Sequence, residues 1–197
     1  MYDNINSVGI TENHLKVLSV FTRGYDREYY IREVQRMLGI SPRTAQLILE
    51  DLEKKAVLES KTKGKIRSYR IKKGIIARDY LLLAETYKTI SFLERNMLVK
   101  EVVEKITPYI EGMAAIFGSY ARGSQEKDSD VDIFIAGPYD RGKVGEVSEL
   151  YGLEVNVKSC SFKTFEKNFK NDIFFKEIVE NHIIISGIED FVTAVVK

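Results

Sequence analysis

The chain has 197 residues, with 30 Lys and Arg against 29 Asp and Glu and a formal net charge of +1. It is long enough for two small domains, and its overall charge marks neither a uniformly basic nucleic-acid coat nor an acidic chain. A single cysteine, Cys160, excludes a disulfide framework, and no Cys/His cluster has zinc spacing. Asp3, Asn4 and Asn6 stand where a leader peptide would be basic, and no apolar run approaches a membrane span, so a cytoplasmic location with no membrane partner is expected. There is no long Gly-, Ser- or Pro-rich linker and no repeat, so any domain joint should be regular structure.

In chain order, Thr11 is a suitable N-cap for a helix to Phe21, on which Leu15, Leu18 and Phe21 fall near helical spacing. A second helix is expected over Tyr29 to Leu38, with Tyr30, Val34, Met37 and Leu38 as its apolar stripe and Gly39 as its stop. Ser41-Pro42 is a strong start for a third helix, because Ser caps the end and Pro suits the first helical position. Ala45, Ile48, Leu49 and Leu52 should face inward there, with Arg43, Thr44, Gln46 and Glu50 outward. Two strands, Val57 to Ser60 and Ile66 to Ile71, then flank a hairpin tip at Lys63-Gly64-Lys65.

Helix, helix, short turn, helix and hairpin together resemble a winged helix-turn-helix. From Lys61 to Lys73 the chain carries Lys61, Lys63, Lys65, Arg67, Arg70, Lys72 and Lys73 and no acid, which suits the phosphates of double-stranded DNA. In that reading Arg43, Thr44 and Gln46 reach base edges, while Lys61, Lys63, Lys65 and Arg67 hold the backbone. The stretch from Ile75 to about Tyr109 reads as helix with a break near Arg95-Asn96. Its apolar positions Ile76, Tyr80, Leu83, Tyr87 and Ile90 need cover, either from the chain's own domains or from a second copy in a homodimer.

The central stretch runs from Ala114 to Ala136. An apolar run, Ala114 to Phe117, ends at Gly118-Ser119, and a charged loop with Arg122 leads to a second apolar run, Val131 to Ile135. Asp130 and Asp132 sit at the start of that run, two residues apart and so on one face of a strand. Paired carboxylates repel unless a cation neutralises them, and Mg²⁺ favours one or two carboxylates together with substrate phosphates. Gly118 admits close backbone approach, and Ser119 adds a hydroxyl.

Gly-Ser, ten intervening residues, then Asp-x-Asp in an apolar strand resembles the DNA polymerase β-like nucleotidyltransferases. The Gly118-Ser119-Tyr120-Ala121-Arg122-Gly123 loop is most similar to the minimal archaeal and bacterial type. The resemblance implies Mg²⁺ (or Mn²⁺) on Asp130 and Asp132, and a nucleoside triphosphate on Gly118, Ser119 and Arg122. It also implies a third carboxylate on a later strand that removes the acceptor's proton. Here Leu153-Glu154-Val155-Asn156-Val157 is that strand and Asn156 the aligned position. An amide takes up no proton at neutral pH. Glu154 shares its face and is the possible substitute.

After a helix over Val144 to Tyr151 and that strand, Ser161 caps a helix carrying Phe162, Phe165 and Phe169, read as core. A further helix near Phe174 to Glu180 and an apolar run from His182 to Ser186 follow. His182 reads as a strand-entry residue, and His14 has no evident role. The expected fold is α+β: a winged helix over 1–73, a helical connector over 74–110, and over 111–197 a nucleotidyltransferase fold with a small mixed sheet flanked by helices. The expected function is Mg²⁺-dependent transfer of a nucleoside monophosphate to a hydroxyl; the resemblance implies a tyrosine or serine of a partner protein as one acceptor, with a small molecule or an RNA end as the others. The alternative is a DNA-binding transcription regulator whose weakened nucleotidyltransferase domain senses nucleotides.

Overall fold

A computed structural model describes residues 9–64 and 66–196. Asp3, Asn4, Asn6 and the expected phosphate contact Lys65 lie outside the described residues. The fold is mixed α+β, with two sheets among the described residues.

The first part runs α1 (Glu12–Phe21), β1 (Tyr29–Tyr30), α2 (Ile31–Leu38), α3 (Pro42–Lys54), β2 (Leu58–Lys63) and β3 (Ile66–Ile71). Its antiparallel sheet has the order β1-β3-β2. Tyr29 and Tyr30 are strand, not the first turn of α2, because they pair with Tyr69 and Ser68 of β3. Tertiary pairing here overrides the helical pattern around them. On α3, Ser41 Oγ accepts from the backbone N–H of Thr44, Pro42 occupies the first turn, and Ala45, Ile48, Leu49 and Leu52 are buried as the spacing predicts.

α4 (Ile75–Arg95) and α5 (Met97–Ile106) are separated at Asn96, and a 3₁₀ turn spans Thr107–Tyr109. α4 buries Ala77, Leu81, Ala84, Glu85 and Phe92, packing against α1 on one side and the last helix and last strand on the other. Of the stripe named from sequence, Ile76, Leu83 and Ile90 stay about half exposed, while Tyr80 is partly buried against the core. Ala77, Leu81 and Ala84 instead lie in the core that both parts of the chain share.

The second part adds β4 (Met113–Phe117), α6 (Gly118–Arg122), β5 (Val131–Ala136), α7 (Arg141–Tyr151), β6 (Val155–Cys160), α8 (Phe162–Asn168), α9 (Ile173–Glu180), β7 (Ile183–Ser186) and α10 (Ile188–Val195). The sheet order is β6-β5-β4-β7, with β5 and β6 parallel and the other pairs antiparallel. One face, with Ala114, Ile116, Ile133 and Ile135, is covered by Val99, Val102 and Val103 of α5 and Val144 of α7. The other, with Ala115, Phe117 and Phe134, meets Phe165, Phe175 and Phe191, and this core continues into the first part through Ala77, Leu81 and Ala84. Phe165 is fully buried and stacks on Phe191 at 5.9 Å, so the Phe162–Phe165–Phe169 helix is core. Among the described residues no helix is long and apolar enough to cross a membrane.

Candidate active site

β4 ends at Phe117, which pairs with Asp132 across the antiparallel ladder. The next residue, Gly118, is buried at φ +70°, and a Cβ there would run into Asp132 Oδ2 and lie 3.2 Å from its Cγ. Only a residue without a side chain lets that carboxylate rest against the turn. Asp130 immediately precedes β5 and Asp132 is its second residue, so both share a face with Phe134. On the parallel neighbour β6, Asn156 is the register partner of Asp132, and its Nδ2 donates to Asp130 Oδ2 at 3.1 Å. Gly118, Asp130, Asp132 and Asn156 therefore converge at one end of the central strands.

Burial lifts the Asp132 carboxyl above its usual value, and the charge of Asp130 lifts it further, against the opposing pull of Arg122 and Lys158. Two carboxylates beside an amide gather hard oxygens and surplus negative charge, the donor chemistry that magnesium prefers. Among the described residues no three of His, Cys, Asp and Glu group as a metal site. Glu154 is exposed just before β6, where its carbonyl accepts from Val131 N–H at 2.9 Å.

Ser119 is half-buried on α6, a single turn of helix. Arg122, at the end of that turn, donates from Nη1 to Glu177 Oε1 of α9 at 2.6 Å. Lys158 and Glu177 were not read from the sequence. Lys158 had a signal, since it follows Asn156 by two on the same face of β6. Glu177 had none, because its proximity depends on how α9 packs. Phe174 packs edge-on to Phe117 at 5.6 Å and Phe134 at 6.0 Å beside the site.

In the first part, Arg43 is exposed at the start of α3. Thr44 is engaged with Ser41 in the cap, and Gln46 Nε2 donates to Glu50 Oε1 at 2.8 Å. On the hairpin, Lys61 and Lys63 are exposed. Arg67 is instead drawn onto Glu53 of α3 and donates from Nε to Ser60 Oγ at 2.9 Å, while Arg70 pairs with Glu59 at 2.6 Å. The acid-free run in sequence is thus met in space by acids from outside it.

Residues 95–186 match the nucleotidyltransferase domain family model. That span contains Gly118, Ser119, Arg122, Asp130, Asp132, Glu154 and Asn156. It also takes in α5, which covers one face of the four-stranded sheet. No curated protein matches the chain. Among solved structures, the chain is similar to TrmBL2, an archaeal chromatin protein whose structure is described as showing a novel mode of DNA binding. The two are 13% identical, with 89% of this chain and 72% of that one covered and a TM-score of 0.30, too slight a likeness to bear on fold or function.

Proposed function

We propose that the chain is a Mg²⁺-dependent nucleotidyltransferase (residues 111–197) joined through a helical connector (74–110) to a DNA-binding winged helix (1–73). The observation that carries the catalytic part is the seating of Asp132 against Gly118, with Asp130 beside it, inside the span that matches the nucleotidyltransferase domain. Asp130 and Asp132 would hold Mg²⁺ or Mn²⁺, with Asn156 Oδ1 as a weak additional ligand. The ion, when bound, supplies charge neutralisation to both the carboxylates and the triphosphate. Ser119 and the backbone N–H groups of the turn take the β- and γ-phosphates, and Lys158 adds a positive charge on the same side. The acceptor oxygen bonds to the α-phosphorus as the bond to pyrophosphate breaks, and pyrophosphate leaves with that electron pair. With an amide at 156, the acceptor's proton passes to water. A hydroxyl of a partner protein is the proposed acceptor.

The test is incubation with α-labelled nucleoside triphosphates, Mg²⁺ and a cell lysate. A labelled acceptor is expected with the natural chain and none with Asp130→Ala. Absence of label with all four nucleotides would sink the catalytic reading. One observation favours a second reading: Asn156 donates to Asp130 where a base would stand. In that reading the site only senses nucleotide, and bound nucleotide shifts DNA affinity by binding two states of the chain unequally. Mg²⁺-dependent nucleotide binding without transfer would select it.

For DNA, the exposed Lys61 and Lys63 are the proposed phosphate contacts and Arg43 the base reader. Replacing both lysines by Ala should lower the slope of log affinity against log salt by about 1.8, roughly 0.9 per lost phosphate contact. Arg67→Ala should leave that slope unchanged and lower the melting temperature, since Arg67 is engaged with Glu53 and Ser60. A slope that moves with Arg67 and not with the lysines would reverse the assignment.

A further inference from the structure

Beside α6, a cleft of about 670 Å³ whose lining includes neither Asp130 nor Asp132 opens between the two parts of the chain. Its walls come from α1, the turn after it, α4, α6 and the segment entering β7. The cations on it are Lys16, Arg23, Lys88, Arg95 and Arg122, and the acid is Glu180. Three of the cations are already answered: Lys16 by Glu12 at 2.9 Å, Lys88 by Glu85 at 2.9 Å and Arg122 by Glu177 at 2.6 Å. Arg95 donates from Nε to a backbone carbonyl, that of Ser91, at 2.7 Å. Among the described residues neither Arg95 nor Arg23 has a carboxylate at ion-pair distance.

Two guanidinium groups without counter-ions on one cleft are suited to phosphate, which they bind in a fork geometry without a metal. The same cleft carries a second unmet demand. Gln125 Oε1 is buried with no hydrogen-bond donor, which a buried acceptor does not tolerate cheaply. A ligand amine or hydroxyl would satisfy it. Tyr87 of α4 and Tyr120 of α6 also line the cleft, and the volume lies in the range of small-molecule sites.

We propose that this cleft is a nucleoside-phosphate site separate from Asp130 and Asp132, one that takes its ligand without a metal ion. Arg23 and Arg95 hold the phosphates, and Gln125 accepts from the nucleoside. Because α1 forms one wall and α6 another, the ligand ties the DNA-binding part to the turn that carries Gly118. The site does not depend on the catalytic reading, since it uses none of those carboxylates.

The test is isothermal titration of the full chain in EDTA, with ATP, GTP and inorganic tripolyphosphate as probes. Binding of a nucleotide is expected to persist in EDTA and in Asp130→Asn/Asp132→Asn, and to weaken tenfold or more in Arg23→Gln/Arg95→Gln. Both arginines are exposed, so melting curves should match the natural chain; if the double change unfolds it, Arg95→Glu alone gives the same reading. Gln125→Leu should weaken nucleotide and leave tripolyphosphate unchanged. No binding in EDTA, or binding indifferent to the arginine changes, overturns the site. Tripolyphosphate binding as tightly as either nucleotide overturns the nucleoside part of the assignment.

Discussion

Asn156→Asp is expected to raise the rate of nucleotidyl transfer by about 10² to 10⁴, the usual contribution of a positioned general base. The position is already correct: Asn156 pairs in register with Asp132 and touches Asp130 at 3.1 Å. What it lacks is a site for the acceptor's proton. The exchange also replaces a donor with a third negative charge, so its cost and benefit separate with metal. In EDTA the variant should melt below the natural chain, because it adds repulsion to a pair in which the Asp132 carboxyl is already pushed up. In Mg²⁺ the order should reverse. A gain in Mg²⁺-dependent melting without a gain in turnover would show that proton removal does not limit the reaction.

The direction of the Asp132 shift fixes a further expectation. A carboxyl whose folded value lies above its unfolded value favours the protonated folded state, so its stabilising contribution holds at low pH and is lost as pH rises through that folded value. Metal-free Asp132→Asn should therefore melt higher than the natural chain at pH 7. Metal binding needs the ionised form and should weaken as pH falls through the same value.

Local chemistry was legible in the sequence and long-range seating was not. Ser41-Pro42 fixed the start of α3, and alternation around Asp130 and Asp132 put both on one face, because caps and strand periodicity act within a few residues. Tyr29 and Tyr30 became strand through partners forty residues away. α10 was not read, although Phe191 on it closes the core against Phe165. His14 was given no role, yet its Nδ1 accepts from Thr11 N–H at 3.2 Å and its Nε2 lies 3.1 Å from Asp51 of α3. At the site, Gly118 was read for close approach to a phosphate. Its nearest neighbour is instead Asp132, so the same absent side chain serves the carboxylate.

Glu85→Ala is expected to destabilise the chain by about 3–5 kcal/mol, the usual effect of stripping one partner from a buried ionic group. Glu85 is fully buried on α4. Tyr25 OH donates to its Oε1 at 2.6 Å, Lys88 Nζ donates to its Oε2 at 2.9 Å, and His182 Nε2 lies 3.0 Å from Oε1. Lys88 also reaches Thr22 Oγ1 at 3.0 Å, so the network joins α1, the turn after it, α4 and the entry to β7. Burial opposes the Glu85 charge, but the Lys88 ammonium and the hydrogen bonds from His182 and Tyr25 outweigh it and hold the carboxyl far below its usual value. Burial likewise holds Lys88 and His182 below theirs, and one positive charge is enough to balance the single carboxylate. Removing Glu85 leaves the Tyr25 hydroxyl and the Lys88 ammonium without their acceptor at the seam of the two parts. For a chain of this length the melting temperature should fall by roughly 6–20 °C. Glu85→Leu combined with Lys88→Met should recover much of that loss, because removing both charges leaves neither unpaired. His182 adds a pH signature: held neutral when folded, it takes a proton in the unfolded chain below its ordinary value of 6.5. Stability should therefore decline from pH 7.5 to pH 5.5, and less steeply in His182→Gln. A Glu85→Ala chain that melts with the natural one would mean that the seam is held by its apolar contacts alone.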